Sequence, residues 1–339
     1  MKYCKCKITG KKIPIILSYG DMPIANDFSK TINKKNNYKM QIAFNDQDGI
    51  LQLVSAPKPK KLFNKNYAFL SSTSKHMQNH FGNVAEMIKK KFIKDKFKIM
   101  EIGCNDGIFL QNFKKFNHLG VEPSKNVCQI SKSKKLNVVN SFFDKKLIDK
   151  KKLKNNFDVI FAANVICHIP DIITLFKNIE LSLKDNGVFI FEEPYLGDVI
   201  EKTSYDQIYD EHFYLFSVNA ISSIIKNLNL EVFNAERIPT HGGSVRYYIQ
   251  KKGVRKKTKK LIKILDYENK IKLTNINTIK NFAKKCILSK KKILQTIKKL
   301  NNKKIKVYGY GATSKSTTII NFCNLKSNFI EGIFDTSPT

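Results

Sequence analysis

Within the run YDQIYDEHFYLFS, residues 205–217, three side chains able to handle protons fall inside four positions: Tyr209, Glu211 and His212. Histidine titrates near neutral pH and suits removal of a proton next to a carbonyl. The carbonyl oxygen then carries charge and needs hydrogen-bond donors close by, a task for a tyrosine hydroxyl or a second imidazole. Tyr209 and His168, the latter in ANVICHIPD, are the candidates, and Glu211 would orient His212 or bind a hydroxyl of the substrate. No metal is expected in such a site, because the ketone itself spreads the negative charge. The bland alternatives are a surface segment with its aromatics packed inward and a hydrogen-bonded histidine at a strand end.

These side chains need a scaffold, and the chain carries the pattern of one. FKIMEIG, HLGVEPS, LNVVNSFF, FDVIFAANVICHI and GVFIFEEPY read as buried strands, separated by helix-like IFLQNFKKF and the amphipathic PDIITLFKNIELSLK. This alternation implies an α/β fold with a parallel, doubly wound sheet. Residues 1–60 read as a small β-rich module, 61–217 as the central domain and 218–339 as a C-terminal domain. From about residue 303, KIKVYGYGATSKSTTIINFC and FIEGIFDTSPT repeat the strand–glycine turn–helix pattern for only two strands, so this last unit reads as Rossmann-like and truncated.

The loop EIGCNDGIFL follows a strand, as a nucleotide-binding turn does, and Gly103 and Gly107 allow close backbone approach to a ligand. It lacks the spacing of a dinucleotide fingerprint. Glu101 and Asp106 place negative charge where a pyrophosphate would sit, which favours a cation instead. S-adenosylmethionine carries a sulfonium and an ammonium. Glu122, ending the second strand, suits two ribose hydroxyls, and Asn140 and Phe142 suit an adenine.

The formal net charge of +33 suggests a nucleic-acid partner at first sight, but the excess is nearly all lysine, with only Arg237, Arg246 and Arg255. A solvated lysine surface is the preferred reading and nucleic acid is disfavoured. No apolar run is long enough for a membrane span, and the scattered cysteines fit a reducing cytoplasm. His76 and His80, four apart on a helix-like stretch, read as a solvated face.

PIANDF, YAFLSSTS, EIGCNDG, ANVICHIPD, IYDEHFYLFS, HGGSVR and GYGATSKS fall in one order along the chain. In that order they resemble the deoxysugar C-methyltransferases, which methylate a carbon of a nucleotide-linked 4-keto sugar. The resemblance implies a small N-terminal module, a central Rossmann-like S-adenosylmethionine domain and a Rossmann-like C-terminal domain. It implies catalytic roles for His212, Glu211, Tyr209 and His168. Tyr67, Asn105 and Asn164 join the cofactor residues, and His241, Arg246 and Tyr195 are the candidates for the sugar nucleotide. The family's N-terminal zinc ligands align with Cys6, Thr9, Asn45 and Asp48, a set too poor in thiolates for a tight tetrahedral site, so zinc is not expected. GYGATSKS is read as a Rossmann-like turn, not a P-loop, because Ser314 replaces the second glycine. Methyl transfer to oxygen or nitrogen, and a degenerate cofactor-binding homologue, remain the alternatives.

Overall fold

The computed structural model describes residues 2–26, 37–65 and 67–335. Asp27 and Phe28 of PIANDF and the four C-terminal residues lie outside them. Four strands open the chain: β1 (Tyr3–Lys5), β2 (Lys12–Met22), β3 (Tyr38–Asn45) and β4 (Ile50–Leu53). After α1 (Pro59–Leu62) and α2 (Lys75–Phe92) the α/β series runs β5 (Lys98–Ile102), β6 (Asn117–Glu122), α3 (Lys125–Ser133), β7 (Val138–Asn140), α4 (Lys145–Lys151), β8 (Phe157–Ala163), α5 (Ile172–Ser182) and β9 (Leu183–Pro194). It continues through α6 (Leu196–Lys202), β10 (Tyr214–Leu215), α7 (Val218–Ile225), β11 (Leu230–Ile238) and β12 (Ser244–Lys251). The remainder is α8 (Lys259–Lys270), α9 (Ile276–Asn302), β13 (Tyr308–Tyr310), α10 (Ser314–Phe322) and β14 (Gly332–Phe334).

The central sheet has the order β11-β12-β9-β8-β5-β6-β7. Strands β5 to β9 are parallel, and their apolar runs are buried on both faces, as covered parallel strands require. These are the five strands of the expected parallel, doubly wound series, and the sheet continues beyond them. β12 runs antiparallel to β9 and β11 antiparallel to β12, so the far edge is a hairpin-like return. Helix α2 covers one face: Ser74 caps it by accepting from the Met77 amide, and Phe81, Val84, Ala85 and Ile88 form the apolar stripe.

IFLQNFKKF departs from expectation, forming a single 3₁₀ turn at Leu110–Phe113 in place of an α-helix. Ile108, Phe109, Leu110 and Phe113 are all buried, while Gln111, Lys114 and Lys115 stay exposed. The Asn112 side chain donates to the Ile108 and Phe109 carbonyls, competing with helical hydrogen bonding. The solvated face assigned to His80 is corrected as well. Its Nε2 lies 2.6 Å from Glu192, which also accepts from Arg246 at 2.6 Å.

β10 comes from the segment bearing His212 and pairs with β4, completing the five-stranded N-terminal sheet β1-β2-β3-β4-β10. In that sheet the Asn45 amide donates to Asp48 (2.9 Å) and approaches the Cys6 sulfur (3.7 Å). Asp48 in turn accepts from Ser223 of α7 (2.5 Å). Three of the four positions aligned with zinc ligands are thus joined through an amide.

Candidate active site

The carboxyl ends of β5, β6 and β8 open onto a cavity of about 680 Å³, within the size range of small-molecule sites. At the end of β5, Gly103 takes a left-handed conformation (φ +67°), and a Cβ there would run into Val165. Asn105 is also left-handed (φ +48°). Its backbone N–H donates to Glu122 Oε2 (2.9 Å), and the Ser124 N–H donates to Glu122 Oε1 (2.8 Å). Burial raises the Glu122 carboxyl above its ordinary range, against the pull of those two amides. Its remaining lone pairs suit paired hydroxyls. The 69–72 segment clasps the loop from above, with Ser71 N–H donating to Asn105 Oδ1 and Ser72 N–H to Asp106 Oδ2.

The proposed cofactor residues divide into two groups. Tyr67, Gly103, Asn105, Glu122, Phe142 and Asn164 line the cavity. Glu101, Asp106 and Gly107 are buried behind its wall, and the exposed Asn140 lies outside its lining. Glu101 is buried and held well above its ordinary value by burial, Asp106 and Glu122. Buried oxygens of Glu101 and Asp106 lack a partner. A Cβ on Gly107 would meet Leu136, which makes it a packing glycine. The Asn140 amide secures the Glu122 and Pro123 carbonyls.

The opposite wall is the 205–217 segment. The 3₁₀ turn Tyr205–Gln207 and a tight turn at 209–212 present Tyr209, Glu211 and His212 to the cavity. Phe213 fixes the segment: its N–H donates to the Cys167 carbonyl, and its own carbonyl accepts from Leu53. His212 Nδ1 lies 2.7 Å from the Gln207 carbonyl. A carbonyl only accepts, so Nδ1 carries the proton and Nε2 keeps its lone pair. Burial, followed by His168, lowers His212 well below its ordinary value and keeps the ring neutral. The Tyr209 ring packs 4.0 Å from it, and burial pushes the Tyr209 hydroxyl well up, leaving a neutral donor.

His168 stacks between Phe63 (5.5 Å) and His212 (5.3 Å). Burial lowers it to about 3, and its Nε2 lacks a partner among the described residues. The turn that bears it is anchored by Glu193, whose Oε1 accepts from the Val165, Ile166 and Cys167 amides. Cys167 Sγ and one ring nitrogen each of His168 and His212 come within 4.8 Å of one another. The thiol is held well above its ordinary value by burial and by Glu193.

His241 lines the cavity in a left-handed conformation (φ +53°) and meets the Asn164 amide at 3.2 Å. Asn164 is itself left-handed (φ +55°). Strained backbone of this kind gathers at functional sites. Arg246 and Tyr195 are not brought to the cavity: Arg246 is engaged with Glu192, and the buried Tyr195 hydroxyl donates to Glu268. The cavity also takes in side chains given no role above, among them Asn26, Phe63, Ser314 and Lys315. Asn26 and Lys315 lie within the quoted motifs PIANDF and GYGATSKS, so their signal was order along the chain.

The profile of the methyltransferase domain family matches residues 59–235, just over half of the chain. The chain belongs to that family. Residues 239–339 of this methyltransferase match a second profile, the C-methyltransferase C-terminal domain. A relative over nearly its whole length is the C-methyltransferase NovU of Streptomyces niveus, 20% identical over 98% of this chain and 81% of NovU. Among solved structures it is similar to the PH0226 protein of Pyrococcus horikoshii, with a TM-score of 0.44 and 16% identity over 54% of this chain and 95% of that one. It is also similar to the plantazolicin methyltransferase BpumL in complex with SAH, with a TM-score of 0.43 and 13% identity over 57% of this chain and 94% of that one. The methyltransferase is S-adenosylmethionine-dependent. Its left-handed loop, a carboxylate held by two loop amides and an aromatic rim fit that cofactor. Among the described residues, no helix is long and apolar enough to cross a membrane.

Proposed function

We propose that the enzyme methylates a carbon beside the ketone of a nucleotide-linked 4-keto sugar, and that His212 is the base that activates this carbon. The observation that carries the reading is the hydrogen bond from His212 Nδ1 to the Gln207 carbonyl, which leaves the Nε2 lone pair free in the cavity that Glu122 also lines. On the cofactor wall, Glu122 would hold the ribose, the Gly103–Asn105 backbone the amino-acid end, and Phe142 the adenine. S-adenosylmethionine supplies an electrophilic methyl group on its sulfonium.

The C–H bond next to the ketone breaks, its proton passes to His212 Nε2, and its electron pair moves onto the carbonyl oxygen. Tyr209 and His168, which line the same cavity, would donate to that oxygen. The enolate carbon is then the nucleophile: with S-adenosylmethionine bound, it would form the new C–C bond as the S–CH3 bond breaks and S-adenosylhomocysteine leaves as a neutral thioether. Proton transfer to a positioned histidine contributes roughly 10²- to 10⁴-fold.

A nucleotide-linked acceptor brings a diphosphate. The first turn of α10 faces the cavity with Ala312, Thr313, Ser314 and Lys315, joining a helix N-terminus to a lysine. His241 stands nearby as a further substrate contact. The seven cysteines carry free thiols, in keeping with a reducing, cytoplasmic setting. The test is mass spectrometry of purified protein incubated with S-adenosylmethionine and a panel of nucleotide-linked 4-keto sugars. A gain of one methyl group on carbon supports the reading, and no gain across the panel, with cofactor bound, overturns it.

A further inference from the structure

We infer that Asn26, carried in from the N-terminal module, is a positioning residue that fixes the Glu211 carboxylate and joins it to the first turn of α10. The Asn26 Nδ2 amide donates to Glu211 Oε1 at 2.6 Å, and its Oδ1 accepts from the Ser314 hydroxyl at 3.1 Å. The orientation of the amide follows from its partners. An ionised carboxylate only accepts, so the N–H side faces Glu211, and the oxygen is left for Ser314. The neighbouring backbone repeats the grip, with the Ala25 N–H donating to Asp210 Oδ2 at 3.1 Å. Residues 25 and 26 therefore engage both acids of the DEH run across 185 positions of sequence.

Among the described residues, one other donor supports the charge of Glu211. Tyr67 donates to Oε2 at 3.2 Å, while Asp210 stands next to it as a second acid. The remaining titratable groups around it are the Tyr209 hydroxyl, the Cys167 thiol and the neutral His212 ring, with His168 and Lys315 lining the same cavity. Burial, then Asp210, pushes Glu211 up to about 7, and the Asn26 and Tyr67 hydrogen bonds oppose that rise. Losing Asn26 leaves the ionised form short of a donor, so Glu211 stays protonated to higher pH. A protonated Glu211 donates a hydrogen bond where it had accepted one, which changes what it offers to His212 or to a substrate hydroxyl.

The inference rests on the proposed function only for the catalytic use of Glu211, and its test needs no turnover. Full-length protein is labelled with [δ-¹³C]glutamate, and the Glu211 signal is identified by its loss in Glu211→Gln. Its titration is then followed in wild type, Asn26→Asp and Asn26→Ala. Asn26→Asp keeps the shape and the acceptor for Ser314, removes the donor and adds a third acid. The Glu211 midpoint should rise by about one pH unit in either variant, the scale of one hydrogen bond to a charged group. Asn26→Asp should move it furthest, with S-adenosylmethionine affinity retained. A Glu211 midpoint unchanged in a folded Asn26→Asp or Asn26→Ala protein overturns the inference. A shifted midpoint without methyl transfer to any sugar nucleotide would count against the proposed function alone.

Discussion

Two parts of the chain present the same local device to one cavity with opposite chemistry. In the central sheet, β5 ends at Gly103 (φ +67°), and the loop amide of Asn105 donates to Glu122 at the end of β6. In the C-terminal unit, β13 is followed by Gly311 (φ +94°), and the loop amide of Ala312 donates to Asp335, just past β14. The first device is set in a seven-stranded sheet and backed by the buried acids Glu101 and Asp106. The second stands on a two-stranded sheet with Tyr310 79% and Phe334 61% exposed, and it adds Lys315. A strand–turn–acid pattern thus sets where a ligand lies, and the surrounding charge sets which ligand suits it. On the proposed reading, the first wall would take the sulfonium-bearing cofactor, and the second, with Lys315 beside Asp335, would take the phosphate-bearing acceptor.

The comparison can be broken most severely at the residue between the two walls. His212→Asn should lower methyl transfer by roughly 10²- to 10⁴-fold, the worth of a positioned general base, with cofactor affinity measured by calorimetry unchanged. Glu122→Ala should act on one wall, weakening S-adenosylmethionine binding by about 1–3 kcal/mol, the scale of hydrogen bonds to a charged group. Lys315→Ala should act on the other wall. Steady-state kinetics should show a roughly tenfold rise in KM for the sugar nucleotide, with cofactor affinity unaltered.

A further prediction concerns acid stability. His168 is lowered to about 3 by burial, so between its ordinary value and that point the unfolded chain binds a proton that the folded chain refuses. Stability is therefore lost as pH falls from about 6.5 toward 3, and His168→Asn should lessen that loss in denaturant melts. The smallest effect is expected in the N-terminal sheet. A chelator should leave the melting temperature unchanged, and elemental analysis should find well under one zinc per chain.

Much of the cofactor wall was legible because its signals are local. An acid at a strand end and glycines in the next turn follow from neighbours in sequence, and Glu122, Gly103 and Asn105 do line the cavity. Glu101 and Asp106 carried the right charge, but strand alternation and the clasp by residues 69–72 turn them behind the wall. Arg246 and Tyr195 illustrate the same limit, since cross-strand and interhelical partners take them up. Asn26 and Lys315 were quoted within motifs and given no role. Asn26 meets Glu211 across 185 positions and Ser314 across 288, distances at which periodicity says nothing. The antiparallel return of β12 was equally hidden, because a helix followed by two strands does not fix their direction.

On the proposed reading, carbon is activated by proton removal at His212 Nε2. The most direct test of that step is deuterium wash-in. Wild-type protein is incubated in deuterated water with a nucleotide-linked 4-keto sugar that it methylates and with S-adenosylhomocysteine in place of the methyl donor. Deuterium should enter the carbon next to the ketone in wild type, and His212→Asn should slow its entry as much as it slows methyl transfer. Methyl transfer without wash-in, or wash-in undiminished in His212→Asn, would contradict the account.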